Sequence, residues 1–517
     1  MVNTDRTGTA RSLDDWLALK SRLSLSRGMW INGEWAESRT GRTATLVSPR
    51  DGLPFADVPS ADRDDVDRAV QGARQAFSSR VWAGLEPRER GAVLIRWADL
   101  LDQHRDELAL LVALEMGKPV TVAWSVELRT AINTIRWYGE VADKLMDESP
   151  RGRNDSVALV TREPLGVVGA ITPWNFPMTL SMFKIPAALV SGNSVVVKPA
   201  TQTPLSLLRA AELSAEAGLP AGVLQVVTGS GATVGSALAL HDDVATLTFT
   251  GSTEVGKQLL TYSGQSNAKP VWLELGGKSP NIVFPDAPDL DEAARMAAWA
   301  ISFNSGQMCT AGSRLLVHED IRDELVARVV DHLGRHRIGD PLDPETTMGP
   351  LAYEGHRDEV LDEVRKGIAD GARLVLGSDR KRTDGLYVDP VVFVDVDQHS
   401  RLAQHEIFGP VLSVTTFRDD AEAIAIANNS DYGLGSAIWT GDLARAHRLS
   451  REIQAGLVWV NCYEEGDTSV PFGGQKLSGH GSDRSLHGLD KFTTLKTTWI
   501  ELACPVAKTT RRRPGKP

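Results

Sequence analysis

Cysteine is scarce in this chain. Three occur in 517 residues, Cys309, Cys462 and Cys504. A number this small and odd builds no disulfide framework, and a reducing compartment such as the cytoplasm fits best. A basic excess is also missing. Lys and Arg number 56 against 67 Asp and Glu, a net charge of −11. Such a chain repels nucleic acid and anionic lipid as a whole, so neither is expected as a partner. No apolar run reaches the roughly 20 residues that a membrane span needs. Met1 to Arg27 carries Asp5, Asp14 and Asp15 and no apolar core, so it does not read as a secretory signal. The 11 histidines show no ligand spacing with cysteine or carboxylate, and no metal is expected. What is present is a 42% hydrophobic, 24% charged composition. That excludes extensive disorder and describes a well-packed globular protein of roughly three to four domain lengths.

The ends are polar. Residues 1–26 and 505–517 are predicted to be solvated tails, the latter bearing Arg511, Arg512, Arg513 and Lys516. Val66, Ala69, Val70, Ala73 and Phe77 recur at helical spacing. A second helical stretch runs over 87–116, opened by Pro87 and closed by Gly117 and Pro119. From residue 166 short apolar runs alternate with helical segments. Strands are predicted near 166–171, 194–198, 224–227, 245–249 and 271–274, with helices near 178–190, 204–217, 232–240 and 253–263. Repeated βα units of this length mean an α/β fold with a doubly wound, mostly parallel sheet, whose ligands sit beyond the carboxyl ends of the strands. The stretch 276–480 repeats the alternation and reads as a second α/β unit.

Two glycine clusters follow strands. Gly229-Ser-Gly231-Ala-Thr-Val-Gly235 has one residue too many for a dinucleotide fingerprint, and tight-turn packing explains it as well. Thr250-Gly251-Ser252-Thr253-Glu254-Val255-Gly256 lies where a strand meets a helix N-terminus, a setting that favours phosphate. Cys309 lies among small and polar residues in Gly306-Gln-Met-Cys-Thr-Ala-Gly312 rather than in a core-like run. It is a candidate nucleophile, which would need activation, or else a buried small side chain. Glu274 ends an apolar strand before Gly276 and Gly277. Desolvation there raises a carboxyl pKa and suits a general base, though a paired buried acid has the same pattern. Asn175, held between Pro173 and Pro177, is either an oxyanion donor or a turn residue.

Taken together, these segments resemble the aldehyde dehydrogenase superfamily, collinearly from about Trp30 to Ile500. The resemblance is carried by Pro173-Trp-Asn-Phe-Pro177, Lys198-Pro-Ala200, Phe249-Thr-Gly-Ser-Thr253, Leu273-Glu-Leu-Gly-Gly277, Gly306-Gln-Met-Cys309, Glu406-Ile-Phe-Gly-Pro410 and Pro471-Phe-Gly-Gly474. It implies the family fold and NAD(P)-dependent oxidation of a small aldehyde to a carboxylic acid through a cysteine thiohemiacetal and thioester. By resemblance Cys309 is the nucleophile, Asn175 an oxyanion donor and Glu274 the base that activates water. Ile171, Trp174, Lys198, Thr201, Gly235, Gly251, Ser252, Gly256, Glu406 and Phe408 are implied to bind NAD or NADP. Phe183, Met308, Thr310, Asp467 and Phe472 are implied to line the substrate pocket. The resemblance also implies a cofactor unit over 27–145 and 164–275 and a catalytic unit over 276–480. A bridging element over 146–163 and 490–503 is implied to build a homodimer or homotetramer.

Three departures stand out. Many NAD-preferring members carry Glu where this chain has Thr201, so NADP is expected to be accepted. Gly481-Ser-Asp-Arg484 replaces a common Gly-Arg-Glu, and Gln475 replaces a common aromatic. Ile135-Arg-Trp-Tyr138, Gly466-Asp467 and Ser485-Leu-His-Gly-Leu-Asp-Lys-Phe492 look like γ-glutamyl-γ-aminobutyraldehyde dehydrogenases of polyamine breakdown and their aminoaldehyde relatives. The acids Glu464, Glu465 and Asp467 are then expected to favour an ammonium-bearing aldehyde, unless they form a solvated loop face. A broad-specificity aliphatic or betaine aldehyde dehydrogenase is the alternative. Glu274 argues against a CoA-acylating enzyme, and the retention of Cys309, Asn175 and Glu274 argues against a non-catalytic protein.

Overall fold

The computed structural model describes residues 11–25, 27–382 and 385–502. Its framework, among those residues, is two large sheets facing each other across a crevice. The first sheet runs Glu34–Ala36, Met29–Ile31, Leu224–Val226, Ser194–Lys198, Val167–Ile171, Thr246–Thr250, Val271–Glu274, Gly479–His480. Its five central strands are parallel. Val167–Ile171, Ser194–Lys198 and Thr246–Thr250 are buried at every position. That is the fate of continuous apolar runs covered by helices on both faces.

The winding order locates the crevice. From Val167–Ile171 the chain adds Ser194–Lys198 and then Leu224–Val226 on one side. It then returns to place Thr246–Thr250 and Val271–Glu274 on the other. The reversal falls between Val167–Ile171 and Thr246–Thr250, and ligands of such sheets gather outside the carboxyl ends at that point. Pro173 to Asn175 and Gly251 to Ser252 follow directly from those two strand ends.

The second sheet runs Arg373–Leu376, Val391–Val394, Val411–Phe417, Arg314–His318, Pro280–Val283, Gly435–Trp439, Leu457–Val460, parallel except at Arg373–Leu376. Cys309 immediately precedes Arg314–His318, so it lies at the amino edge of this sheet. The carboxyl edge of one sheet therefore faces the amino edge of the other.

Ser156–Pro164 and Thr493–Glu501 pair antiparallel along their full length, apart from both large sheets. Gly479–His480 leaves the sequence of the second unit and pairs with Leu273 and Glu274 at the edge of the first sheet. No helix among the described residues is long and apolar enough to cross a membrane.

Several expectations need correction. Residues 1–26 are not a wholly solvated tail. Leu13–Arg22 is a helix capped by Ser12 and Asp15 in a reciprocal capping box. Trp16 is buried, and Leu13, Leu17 and Leu19 pack on the main core. The stretch 87–116 is two helices, Pro87–Gln103 and Arg105–Met116, interrupted at His104. The stretch 178–190 is two short helices, Thr179–Met182 and Ile185–Val190. Pro186 lies in the first turn of the second, where its missing N–H costs nothing. The tail over 505–517 and Cys504 lie outside the described residues.

Candidate active site

A cavity of about 440 Å³ opens at the predicted crevice. Its walls include Trp174, Asn175, Gly251, Ser252, Cys309, Glu406 and Phe408. Residues from both sheets thus meet around one space. Cys309 lies at its inner end and also packs on an apolar cluster of Leu180, Phe183, Leu434 and Phe472. The thiol therefore has the cavity on one side and an aromatic wall on the other.

The backbone before Cys309 is bent by three successive left-handed residues, Asn304 (φ 52°), Ser305 (φ 56°) and Gly306 (φ 72°). A Cβ on Gly306 would lie 2.2 Å from the Gly409 carbonyl oxygen. Only glycine fits there. Such strain persists only where surrounding contacts over-determine it. Here the Gln307 amide does so, donating to Asn304 O at 2.9 Å while its oxygen accepts from Ala352 N at 2.9 Å.

Asn175 is held from several directions. Its Nδ2 donates to Gln307 O at 3.0 Å. Its carbonyl accepts from Lys118 Nζ at 3.1 Å and Asn304 Nδ2 at 3.0 Å. Lys118 pairs with Glu127, both side chains being sealed from solvent. Glu127 also accepts from Met178 N at 2.9 Å. Lys118 lies 3.8 Å from the centre of the Phe176 ring. A buried ion pair thus anchors the Pro173–Pro177 loop.

Glu274 is buried, and neither carboxyl oxygen has a hydrogen-bond partner. Burial pushes its pKa well above the ordinary carboxyl value and nearby Asp483 adds to this, while Lys184 and Lys491 pull it down. Those two lysines grip Asp483: Lys184 Nζ donates to Oδ2 at 2.7 Å and Lys491 Nζ donates to Oδ1. Burial also pushes the Cys309 thiol above its usual value, assisted by the negative fields of Glu406, Glu464 and Glu274. That shift disfavours the thiolate, so a nucleophilic role for Cys309 requires a group that takes its proton.

The glycine pair after Glu274 exists for close approach. A Cβ on Gly276 would lie 2.1 Å from Glu406 Oε2, and one on Gly277 would lie 2.2 Å from the Cys309 carbonyl. With glycine present, Gly277 N donates to Glu406 Oε1 at 2.9 Å. Burial raises the Glu406 pKa to about 7 against the pull of Gly277 N–H and Lys278. Phe408, at φ 58°, meets Trp174 edge-on at 5.4 Å between ring centres.

The second glycine cluster caps a helix. Ser252 Oγ accepts from Val255 N at 3.4 Å and starts Thr253–Gln265. Unused N–H groups of that first turn and the helix dipole suit a phosphate, and Thr250 Oγ1 nearby is buried without a partner. A Cβ on Gly251 would lie 2.4 Å from the Phe249 ring, and one on Gly256 2.8 Å from Leu275. Ile171, Lys198 and Gly235 meet a little further on, since a Cβ on Gly235 would lie 3.8 Å from Ile171 and 3.9 Å from Lys198. Burial lowers the Lys198 pKa to about 8. Thr201 Oγ1 donates to Gly229 O at 3.1 Å, so its proton is already used. A phosphate near position 201 would meet no carboxylate, but it would not gain that donor. These features suit a dinucleotide: an anion site, a lysine for hydroxyls, a carboxylate at Glu406 and an aromatic wall.

The residues expected in the pocket lie in different settings. Phe183 and Phe472 pack 5.9 Å apart beside Cys309, and Met308 and Thr310 are buried there. Asp467 does not point inward. It is exposed, and its Oδ1 accepts from Ser469 N at 2.8 Å within its own loop. The inward acid is Glu464, whose Oε1 is buried without a partner and whose field reaches Cys309. Burial raises its pKa to about 7 against the Thr310 hydroxyl and Arg484. Sequence reasoning left out Lys118, Glu127, Lys184 and Lys491, and it noted Arg484 only as a departure from the family pattern. Lysines and acids at strand and helix ends look like surface residues until the fold encloses them.

A buried thiol at a cavity, an orphaned carboxylate and a crevice that suits a nucleotide, set between two α/β units, describe the class of thiol enzyme built on a doubly wound sheet. The aldehyde dehydrogenase family pattern matches residues 35–498. The chain belongs to that family. It is 47% identical over 489 residues to "NADP/NAD-dependent aldehyde dehydrogenase PuuC" of Escherichia coli K12, covering 94% of this chain and 98% of that protein. Among solved structures it resembles a mutant of the Pseudomonas syringae indole-3-acetaldehyde dehydrogenase AldA in complex with NAD+ and IAA. There the TM-score is 0.94 at 50% identity, over 95% of this chain and 100% of that one. It resembles equally in fold the γ-glutamyl-γ-aminobutyraldehyde dehydrogenase of Burkholderia cenocepacia, with TM-score 0.94, 48% identity and the same coverage.

Proposed function

We propose that this aldehyde dehydrogenase oxidises an aminoaldehyde of polyamine catabolism, such as γ-glutamyl-γ-aminobutyraldehyde or γ-aminobutyraldehyde, to its acid with NAD or NADP. One observation carries the reading of the chemistry. Cys309, Asn175 and the crevice that suits a dinucleotide share one cavity, while Glu274 lies buried and unpartnered at the end of the neighbouring strand.

Cys309 Sγ adds to the aldehyde carbon as its proton passes through water to the ionised Glu274 carboxylate, which returns it to solvent before the hydrolytic step. The hemithioacetal oxygen formed is stabilised by the Asn175 amide and the Cys309 backbone N–H. When bound, the dinucleotide supplies the hydride acceptor of the oxidation. Asn175 stabilises the carbonyl oxygen as the thioester forms. Glu274 in its ionised form takes a proton from water, the resulting hydroxide adds to the thioester, and Cys309 leaves with a proton. Lys198 and Glu406 bind ribose hydroxyls, and Ser252 with the Gly251 and Gly256 turn holds the pyrophosphate. Trp174 and Phe408 wall the nicotinamide end, and Ile171 and Gly235 the adenine end.

The relatives named for PuuC and for γ-glutamyl-γ-aminobutyraldehyde support the substrate class, and so does the half-buried acid Glu464 beside the aromatic wall, with its Oε1 sealed and unpartnered. The similarity to an indole-3-acetaldehyde enzyme and the Phe183–Phe472 wall favour a neutral aromatic aldehyde as the second reading. The test follows reduced nicotinamide with γ-aminobutyraldehyde, its γ-glutamyl adduct, betaine aldehyde, indole-3-acetaldehyde and hexanal, each with NAD and with NADP. Higher kcat/KM for the amino or glutamylated aldehydes is expected. Preference for hexanal or indole-3-acetaldehyde would refute the aminoaldehyde reading.

We further propose a cytoplasmic homodimer or homotetramer built through Thr493–Glu501. Its exposed Leu495, Trp499 and Ile500 support this. A monomer by light scattering would refute it.

A further inference from the structure

Arg484 belongs to the segment where this chain departs from the common family pattern, and its surroundings give it a use. The loop 461–472 and the segment 481–485 are stitched together. Phe472 and Asp483 exchange backbone hydrogen bonds at 2.8 and 2.7 Å, and Ser485 N donates to Thr468 O at 2.8 Å. Arg484 lies between these anchors, so its backbone is fixed over the pocket loop. Its guanidinium sits 5.6 Å from the centre of the Phe183 ring and donates to the Asp467 carbonyl. Phe183 in turn packs on Phe472 and the Cys309 cluster. Arg484 is thus at the aromatic wall, on the side of Cys309 away from the nucleotide crevice.

Glu464 is at the same wall. It feels the field of Arg484, yet among the described residues no ion pair or hydrogen bond joins the two, and Glu464 Oε1 is buried with no partner at all. The two groups thus lie near each other at this wall without forming an ion pair, the Thr310 hydroxyl being the only hydrogen-bonding group among the described residues that acts on Glu464 and its Oε1 staying free. A buried unpartnered carboxylate oxygen is costly, and a ligand cation relieves that cost. An arginine with most of its fork unused matches a carboxylate in two-point geometry.

We infer that Arg484 and Glu464 together read the end of the substrate remote from the carbonyl, Arg484 taking a carboxylate and Glu464 an ammonium. The aldehyde this site takes best then carries an α-amino-acid head, as a γ-glutamyl group does, rather than a lone amine. Phe183 and Phe472 flank the methylene chain between head and aldehyde. This inference rests on the aminoaldehyde reading and narrows it.

Four aldehydes separate the charges: the γ-glutamyl adduct with both, γ-aminobutyraldehyde with ammonium alone, succinic semialdehyde with carboxylate alone, and hexanal with neither. Each is assayed for kcat/KM with wild type, Arg484→Gln, Arg484→Lys and Glu464→Gln. Wild type should prefer the γ-glutamyl adduct to γ-aminobutyraldehyde. Arg484→Gln should lower the ratio of γ-glutamyl adduct to hexanal by about thirtyfold, the loss of one charge-assisted hydrogen bond. Its ratio of γ-aminobutyraldehyde to hexanal should move far less. Glu464→Gln should lower both ammonium-bearing substrates relative to hexanal. Arg484→Lys, which keeps the charge and loses the fork, should fall between and serves if Arg484→Gln does not fold. Equal losses on all four aldehydes in either glutamine variant would overturn the inference. So would a wild type that handles γ-aminobutyraldehyde as well as its adduct. A wild type active on hexanal and inactive on both aminoaldehydes would instead overturn the underlying substrate reading.

Discussion

Removing Lys118 or Glu127 singly should damage the enzyme far more than removing both. In Glu127→Leu the Lys118 ammonium is left in a site with no solvent access, beside the Phe176 ring and the Asn175 carbonyl. In Lys118→Met the Glu127 carboxylate keeps only Met178 N–H as a partner for its side chain. Breaking a buried pair from one side costs about 3–5 kcal/mol, because the surviving charge is uncompensated. The double variant removes both charges. Its residual loss is the Met178 N–H without an acceptor and the Asn175 carbonyl with one donor fewer, about 1–3 kcal/mol together. The cycle should therefore show a coupling of at least about 3 kcal/mol. Urea unfolding midpoints of the four proteins, read with a common slope, supply the numbers. Activity gives a second reading. Asn175 keeps the Asn304 donor, so kcat in Lys118→Met should fall about tenfold rather than the roughly hundredfold or more that loss of a whole oxyanion donor costs. Additive single effects, or single variants within about 1 kcal/mol of wild type, would refute the claim that this pair anchors the loop.

Other outcomes follow from the site. Glu274→Gln should retain a burst of reduced nicotinamide while steady-state turnover falls about a hundredfold or more. Because burial raises the Glu274 pKa and the ionised form is the base, wild-type kcat should rise with pH on a limb above the ordinary carboxyl range. That limb should be lost in the glutamine variant, and an unchanged profile would remove Glu274 from water activation. Thr201→Glu should raise the NAD-over-NADP ratio of kcat/KM about thirtyfold, since about 2 kcal/mol of repulsion faces a 2′-phosphate. An unaltered ratio in parallel kinetics would sink the assignment of position 201. Trp16→Ala should cost about 3 kcal/mol and open the Leu13–Arg22 helix to trypsin at Lys20 and Arg22, and wild-type resistance to cleavage would show the helix needs no such anchor.

Much of the first sheet is legible because its strands are short continuous apolar runs rich in β-branched residues with turn signals between them, and length and those flanks separate them from the helices. The helix Leu13–Arg22 was equally readable, with Ser12 and Asp15 as its cap and Leu13, Trp16, Leu17 and Leu19 on one side, but its polar average hides that pattern. Directions of loop side chains are not encoded by period. Glu464 and Asp467 share a loop, and the left-handed backbone at Glu464 (φ 57°) turns one acid inward while Asp467 caps the loop it belongs to. Buried charge is the other blind spot. Lys184 and Asp483 are 299 positions apart and meet only when the sheets are assembled. Cys309, Glu274 and Asn175 were singled out because their neighbours, glycines and prolines, report a backbone shaped for approach rather than for packing.

The short strand Gly479–His480 has a mechanical consequence. It fastens residues that follow the second sheet to the edge of the first, directly against Leu273 and Glu274. On the other side of Glu274, Gly277 N donates to Glu406 Oε1 and holds the chain leaving the first sheet against the Glu406 loop. The Gly479–His480 bridge ties the backbone beside Glu274 to the chain that follows the second sheet, so a displacement of one at this edge carries the other with it.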